Sequence, residues 1–351
     1  MDPGIPCEPQ AGGCGRTSDC DAYPIRTISK RQPSKRHVMM TGLVEKLRLQ
    51  WTYLRCLGRI PNLKNPQRFT EKIQVAKLCW RDPSMRIMAD KIAAKEYVAS
   101  KLGQEWVTPN LYAGDRLPPV SQRIWQPPYV IKASHRSNAN IFVLPAGGND
   151  NRVICTDRNR QPLFGGSPQA TPDWQQVDAL LDKWLRRPFG KRRAEWAYRN
   201  IPPRVLVEPF LGSQDPPADY KLFVFAGRVE LIDVVLARFQ SHRHVFLDRQ
   251  WNFVELSEPN RQGDPRFAVK PKSLEQMIEA AEFVARGFPF LRFDLYEIDD
   301  QTRFSEFTFY PWSGITRLEP PEADLKLGAL WPDALPAVSQ LKPNASLSRC
   351  A

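Results

Sequence analysis

A chain of 351 residues has room for about two domains, and its 42% hydrophobic content supports ordinary soluble cores. It has no run of about 18 apolar residues, which excludes a membrane-spanning helix, and its seven scattered cysteines follow no apolar leader, which argues against an exported disulfide framework. The net charge of +12 favours an acidic partner, but without zinc-finger spacing, a basic zipper or an RNA-recognition signature that partner is not expected to be nucleic acid.

Residues 1–40 are rich in Pro, Gly, Ser and Cys without periodicity and read as a disordered N-terminal extension, or as a start placed too early, with Met39 or Met40 as the alternative. Cys7, Cys14 and Cys20 are loosely spaced with no fourth ligand nearby, so they read as free thiols rather than a zinc knuckle. N-terminal helices are expected over 41–82. The first, 42–58, carries Lys46, Arg48 and Arg55, and reads as packed on the main body or, alternatively, as weakly associated with a membrane surface. The simplest compartment is the cytoplasm, with the inner face of the membrane as the variant such a helix allows. A second helix spans 68–82 with Thr70 as its cap, and a third spans 84–103, stopped by Gly103.

"YVIKAS" (129–134) predicts a strand, followed by the polar "HRSNAN" (135–140) and a returning strand "IFVLP". Residues 145–173 read as a loop or insertion. A helix over 171–187 opens with Thr171 as cap and Pro172 at the first helical position. Strands follow at 203–212 and 219–239, the latter two strands joined at Ala226-Gly227, and a hairpin at 244–256. Ser273 and Gln276 form a capping-box pattern for a helix over 273–288. The hairpin "RFDLYEIDDQTRFSEFTFYP" spans 292–311, and a Pro-rich tail is expected over 319–351. Strands and helices mix without strict βαβ alternation, so the class is α+β, with antiparallel sheets and helices on one face.

Three places could carry chemistry. Asp294 and Glu306 stand where buried strands prefer Val or Ile, and the sum of their positions is even. They share a face if the connecting loop is odd in length or a bulge shifts the register. Two carboxylates on one face repel unless a divalent cation intervenes, and Thr308 on the same face could add an oxygen. The competing reading is a solvated hairpin face. Lys132 closes an apolar strand beside a polar loop, an arrangement that suits phosphate but is also met in exposed strand ends. Glu208 ends the apolar strand "RVLVEPFLG", either at an interdomain hinge or simply exposed.

The order of these features (DK…K, IKAS with its polar loop, VEPFL, DYK, then the hairpin) resembles the ATP-grasp superfamily, and within it the TupA-like family of the teichuronopeptide-biosynthesis type. The resemblance covers roughly 60–318. It rests on "FTEKIQVAKL", "ADKIAAKEYV", "VIKASHRSNANIFV", "WAYRNIPPRVLVEPFL", "DYKLFVFAGRVELI" and "FPFLRFDLYEIDDQTRFSEFTFYPWSG". It implies an ATP-grasp fold over 83–318, in which two α+β subdomains, a nucleotide lid at about 83–206 and a metal-binding part at about 207–318, clasp the nucleotide. It implies that Lys91 and Lys132, with Ser134, Arg136, Ser137 and Asn138, meet the phosphates of ATP. Val207, Glu208 and Phe210 would line the adenine and ribose, and Asp294, Glu306 and Thr308 would hold Mg²⁺. Lys132, Lys221, Arg292 and Arg238 are implied as catalytic, with the two arginines placed for a substrate carboxylate or transition-state charge. His135, His242 and His244 are read as structural or peripheral.

Relatives carry a glycine-rich turn where this chain has His135-Arg136-Ser137-Asn138-Ala139-Asn140, and often Gly where it has Trp312. The implied activity is ATP-dependent carboxylate–amine ligation on an acidic, small or glycan-linked substrate of bacterial surface-polysaccharide synthesis. The alternatives are a polysaccharide-linked kinase or glycosyltransferase-type protein, or a divergent nucleotide- or glycan-binding protein without catalysis.

Overall fold

A computed structural model describes residues 35–147, 150–157, 161–164, 167–212, 217–236 and 243–332. Most of the expected N-terminal extension, Cys7, Cys14, Cys20, Cys350, Arg238, His242 and the tail beyond residue 332 lie outside the described residues. Four helices come first: α1 (Lys35–Leu57), α2 (Phe69–Cys79), α3 (Ser84–Ala89) and α4 (Lys91–Leu102). The single helix expected over 84–103 is broken at Asp90, whose backbone is extended and whose carboxylate accepts from Ile92 N to cap α4. An aspartate satisfies an orphan helix N–H better from outside the helix than from within it. Thr70 does not cap α2. Glu71 reaches back to accept from Arg68 N, while Thr70 is buried and bonded to Asp324 through both its amide (2.9 Å) and its hydroxyl (2.7 Å).

The first sheet contains β1 (Tyr112–Gly114), β2 (Tyr129–Ala133), β3 (Asn140–Gly147), β4 (Asp150–Thr156) and β5 (Val205–Pro209), all antiparallel in the order β1-β5-β2-β3-β4. β4 falls within the segment read as a loop. Its Gly- and Asn-rich approach hides a short run, Val153-Ile154-Cys155-Thr156, that pairs with β3. One face of this sheet packs Tyr129, Ile131, Ile141, Val143, Val205 and Val207 against Val177 and Leu181 of α5 (Trp174–Leu185). Asp173 caps α5 by accepting from Gln176 N, so neither Thr171 nor Pro172 opens the helix.

The second sheet contains β6 (Asp219–Phe225), β7 (Arg228–Leu236), β8 (Arg243–Leu247), β9 (Phe290–Ile298) and β10 (Gln301–Thr308), antiparallel in the order β10-β9-β6-β7-β8. The Ala226-Gly227 turn joins β6 to β7 as expected, with φ of 49° and 80°. The hairpin expected at 244–256 is one strand followed by a single bridge, Leu247 to Phe253. Two helices complete the body, α6 (Leu274–Val284) and α7 (Ala323–Leu330). Ser273 does not cap α6; its hydroxyl is spent on Glu297 at 2.5 Å. The tail expected from residue 319 begins as folded chain. Trp331 stacks on Phe290 at 4.6 Å, and its carbonyl accepts from the buried Lys72 ammonium at 2.6 Å. The α+β class with two antiparallel sheets is therefore observed.

Candidate active site

The β9–β10 turn is two residues long, Asp299-Asp300, both left-handed with φ of 51° and 59°. An even loop alone would point Glu306 into the core beside Phe293. A bulge between Phe304 and Glu306 absorbs Ser305 and restores the phase, so Glu306 lies opposite Asp294 and Thr308 opposite Arg292. These four polar side chains share one face, while Phe293, Leu295, Phe304 and Phe307 face the core. On the next strand Lys221 stands opposite Asp294, and beyond it Asp233 stands opposite Lys221. A charged band thus crosses the sheet and ends at His244, whose Nδ1 is 2.8 Å from Asp233.

Arg292 is the hub of this band. Its Nε donates to Asp294 Oδ1 at 2.7 Å and its Nη2 to Oδ2 at 2.6 Å; Nη2 also reaches Thr308 Oγ1 at 2.9 Å and lies 3.7 Å from Glu306. Lys221 Nζ donates to Asp294 at 2.9 Å and to Asp219 at 2.6 Å, and Lys91 Nζ donates to Glu306 at 3.0 Å. Burial pushes the Asp294 carboxyl above its ordinary value against the pull of Arg292 and Lys221. Burial would also raise Glu306, but Lys91, Lys221 and Arg292 together hold it far below the usual carboxylate range. Burial would lower Arg292, and Asp294 and Glu306 outweigh it, so its guanidinium stays charged.

The expected Mg²⁺ donors fit only in part. Glu306 and Thr308 border the cavity between the sheets, whereas Asp294 is fully buried with both oxygens taken by Arg292 and Lys221. Among the described residues no three His, Cys, Asp or Glu side chains cluster as a ligand set. One carboxylate completed by phosphate oxygens and water is nonetheless an ordinary Mg²⁺ environment, and Glu306 with Thr308 supplies that much.

The cavity holds about 640 Å³. Arg292, Glu306 and Thr308 form one side, Lys91 and the 136–138 loop another, and Arg192 and Arg193 a third. Within the loop only Asn138 is left-handed, with φ of 56°, so Arg136 and Ala139 occupy positions that need no glycine. Arg136 lies over the Phe189 ring at 5.9 Å. Ser134 also lines the cavity, and its backbone ties the loop to the frame: its amide donates to Arg204 O at 2.8 Å, and its carbonyl accepts from Lys91 N. Arg192, Arg193 and Tyr198 were not singled out from the sequence, although "GKRRAEWAYRN" carried a signal in its basic run.

Lys132, Glu208 and Phe210 lie beside this cavity rather than on its wall. Glu208 is bonded to the Lys132 ammonium and, at 2.6 Å, to Lys95. Lys95 and Lys91 both belong to α4, one turn apart, so this helix links the Glu208 cluster to Glu306. Phe210 meets Phe142 edge to face at 6.0 Å and packs with Val130 and Leu144. Val207 does not line this side. Its side chain sits in the core under α5 and its carbonyl accepts from Leu111 N at 2.8 Å, because strand alternation turns it away from Glu208. Lys95 is a further addition, legible only as the second lysine of "DKIAAK", one helical turn beyond Lys91. His135 and His244 are buried, His135 beside the Arg187 carbonyl and His244 against Asp233.

Trp312, Ser313 and Gly314 are consecutively left-handed, with φ of 49°, 57° and 58°. Position 312 thus holds a tryptophan in a conformation that glycine favours, and the strain is offset from below. Lys77 Nζ donates to Ser313 O at 2.6 Å and Ser313 Oγ at 2.7 Å, and Gln74 Nε2 donates to Gly314 O at 2.7 Å. Burial pushes the Lys77 ammonium down to about 8 despite Glu195 nearby.

Residues 71–331 match the family model described as TupA-like ATPgrasp. A comparison with curated proteins finds no match. Similar solved structures include a D-alanine–D-alanine ligase from Bacillus anthracis complexed with ATP (11% identity, TM-score 0.33, covering 64% of this chain and 54% of that one). Another is a D-alanine–D-alanine ligase from Helicobacter pylori (16%, 0.35, 70% and 61%). A third is the ATP-grasp ligase PsnB complexed with a phosphomimetic variant of its minimal precursor, Mg and ADP (11%, 0.34, 71% and 61%). The chain therefore spans between 54% and 61% of the length of these structures. With the family match covering well over half of its 351 residues, the chain belongs to the TupA-like ATP-grasp family.

Proposed function

We propose that this protein is an ATP-dependent ligase that activates a carboxylate as its acylphosphate with release of ADP, and transfers the acyl group to an amine that displaces phosphate, acting in bacterial surface-polysaccharide synthesis of the teichuronopeptide kind. One observation carries this reading beyond family membership: two charged clusters, Lys132–Glu208–Lys95 and Lys91–Glu306–Arg292, one drawn from the first sheet and one from the second, are joined through the lysines of α4 beside a cavity of about 640 Å³. Phosphoryl transfer needs positioning and charge compensation more than covalent catalysis. Lys91, Lys132 and Arg136 supply positive charge to phosphate oxygens, and Phe210 with Phe142 offers an aromatic surface to the base. Lys221 holds the charged band and, with Arg292, faces the charge that develops on transfer. Mg²⁺, when bound, offsets charge on the phosphoryl oxygens, and Glu306 with Thr308 would hold it. Arg192 and Arg193 suit an acidic substrate at the cavity's outer side.

The test is titration calorimetry with Mg-ATP, followed by ADP release in the presence of acidic sugars or amino acids and an amine. Wild type is expected to bind ATP, and Glu306→Gln to lose at least about a hundredfold in ADP release. Absence of both binding heat and a thermal shift in wild type would overturn the reading. The fork of Arg292 on Asp294 favours a second reading, a nucleotide binder without turnover. Binding without ADP release under any acceptor, and unchanged binding in Asp294→Asn, would select it.

A further inference from the structure

We infer that the outer face of α1 docks the protein onto anionic lipid membranes. The inner face of α1 packs on the body through Leu49, Tyr53 and Leu57, exposed by 5%, 0% and 7%. A second apolar set points away: Leu43 at 58%, Val44 at 51%, Leu47 at 56% and Trp51 at 60%. At the helical repeat these four fall within an arc of about 100°, centred about 130° from the inner set. A helix packed only on its own fold has no use for a second apolar stripe, and this one ends in an indole, a ring suited to the boundary between lipid and water.

Charge selects the partner. The only acid in α1, Glu45, is paired inward with Arg199 at 2.8 Å, while Arg48 and Arg55 are exposed and adjoin the stripe. Arg48 shares a small cleft with Lys191, Arg192 and Arg193, and the last two also border the main cavity. A basic surface therefore runs from α1 to the cavity mouth. A second copy seated on this face would set arginines against arginines; anionic headgroups neutralise them. No helix among the described residues is long and apolar enough to cross a membrane, so α1 lies on the surface rather than spanning it. The docked orientation holds the cavity at the lipid surface, and it requires nothing of the ATP chemistry.

Co-sedimentation of the full chain with vesicles tests this, comparing phosphatidylglycerol–phosphatidylcholine mixtures with phosphatidylcholine alone. Binding to the anionic vesicles is expected to be at least about tenfold tighter and to weaken in about 0.5 M salt. Leu43→Glu/Leu47→Glu is expected to reduce it at least about tenfold, and Arg48→Glu/Arg55→Glu similarly, with thermal melting unchanged because these side chains are exposed. Equal binding to both vesicle types, no binding, or retained binding in Leu43→Glu/Leu47→Glu overturns the inference. So does a concentration-dependent dimer that this variant dissolves in the absence of lipid binding.

Discussion

Glu208 serves two ammonium groups with one buried carboxylate, and this asymmetry sets its titration. Burial alone would raise its pKa, but Lys132 and Lys95 outweigh it and hold the group at about 2, against an ordinary 4.5. The lysines respond differently: burial lowers Lys95 despite Glu208, whereas Glu208 and its acidic neighbours raise Lys132. Because the folded value is depressed, Glu208 contributes stability that is fully present above about 4.5 and lost as pH falls towards 2. The size is about 3 kcal/mol. In urea unfolding across this acid window, Glu208→Gln should therefore show a flatter loss of stability than wild type. Near neutrality it should be less stable by roughly 3–5 kcal/mol, because two ammoniums are left without their anion. An unchanged acid slope would mean that Glu208 is not the group titrating.

At the scale of elements, some turns announce themselves and others do not. Ala226-Gly227 was legible because a glycine between two apolar runs predicts a tight hairpin, and both residues are left-handed. Ala226 is exposed and strained at φ 49°, so Ala226→Asn, which creates the favoured Asn-Gly pair, should raise stability by about 0.5–1 kcal/mol. A higher urea midpoint with an unchanged slope would show it; a lower midpoint would mean the turn is not of this type. The bulge at Ser305 had no such signal. Parity said only that a bulge or an odd loop was needed, and both solutions fit the sequence. The polar residues of α2 gave no local sign of their surroundings either. Thr70, Lys72, Gln74 and Lys77 are all buried. Their partners, Asp324, Trp331, Ser313 and Gly314, lie far along the chain, where no local pattern reveals them. The motif order was readable because it reflects chain topology; which carboxylate opens to the cavity was not, because the Arg292 fork on Asp294 is a choice of side-chain geometry.

At the scale of the whole molecule, the segment after residue 318 acts as a strap that joins the N-terminal helices to the second sheet. Asp324 takes Thr70 and Arg59, Lys72 holds the Trp331 carbonyl, and the Trp331 ring lies against Phe290, Phe69 and Phe225. The same α2 that receives the strap supports the left-handed turn at 312–314 on the cavity wall, so strap and site share a foundation. Trp331 is 1% exposed, and truncating a large buried aromatic typically costs about 3–5 kcal/mol. Trp331→Ala should lower global stability by that amount in urea unfolding, while Leu330→Ala, whose side chain is 38% exposed, should change it by no more than about 0.5–1 kcal/mol. Because Trp331 closes a core that includes β6 and β9, fluorescence and circular dichroism should report the loss in Trp331→Ala at one common midpoint. If the two variants unfold alike, or if the Trp331→Ala transition splits so that the sheet outlasts the helices, the strap is not part of the cooperative unit and the turn must be supported by α2 alone.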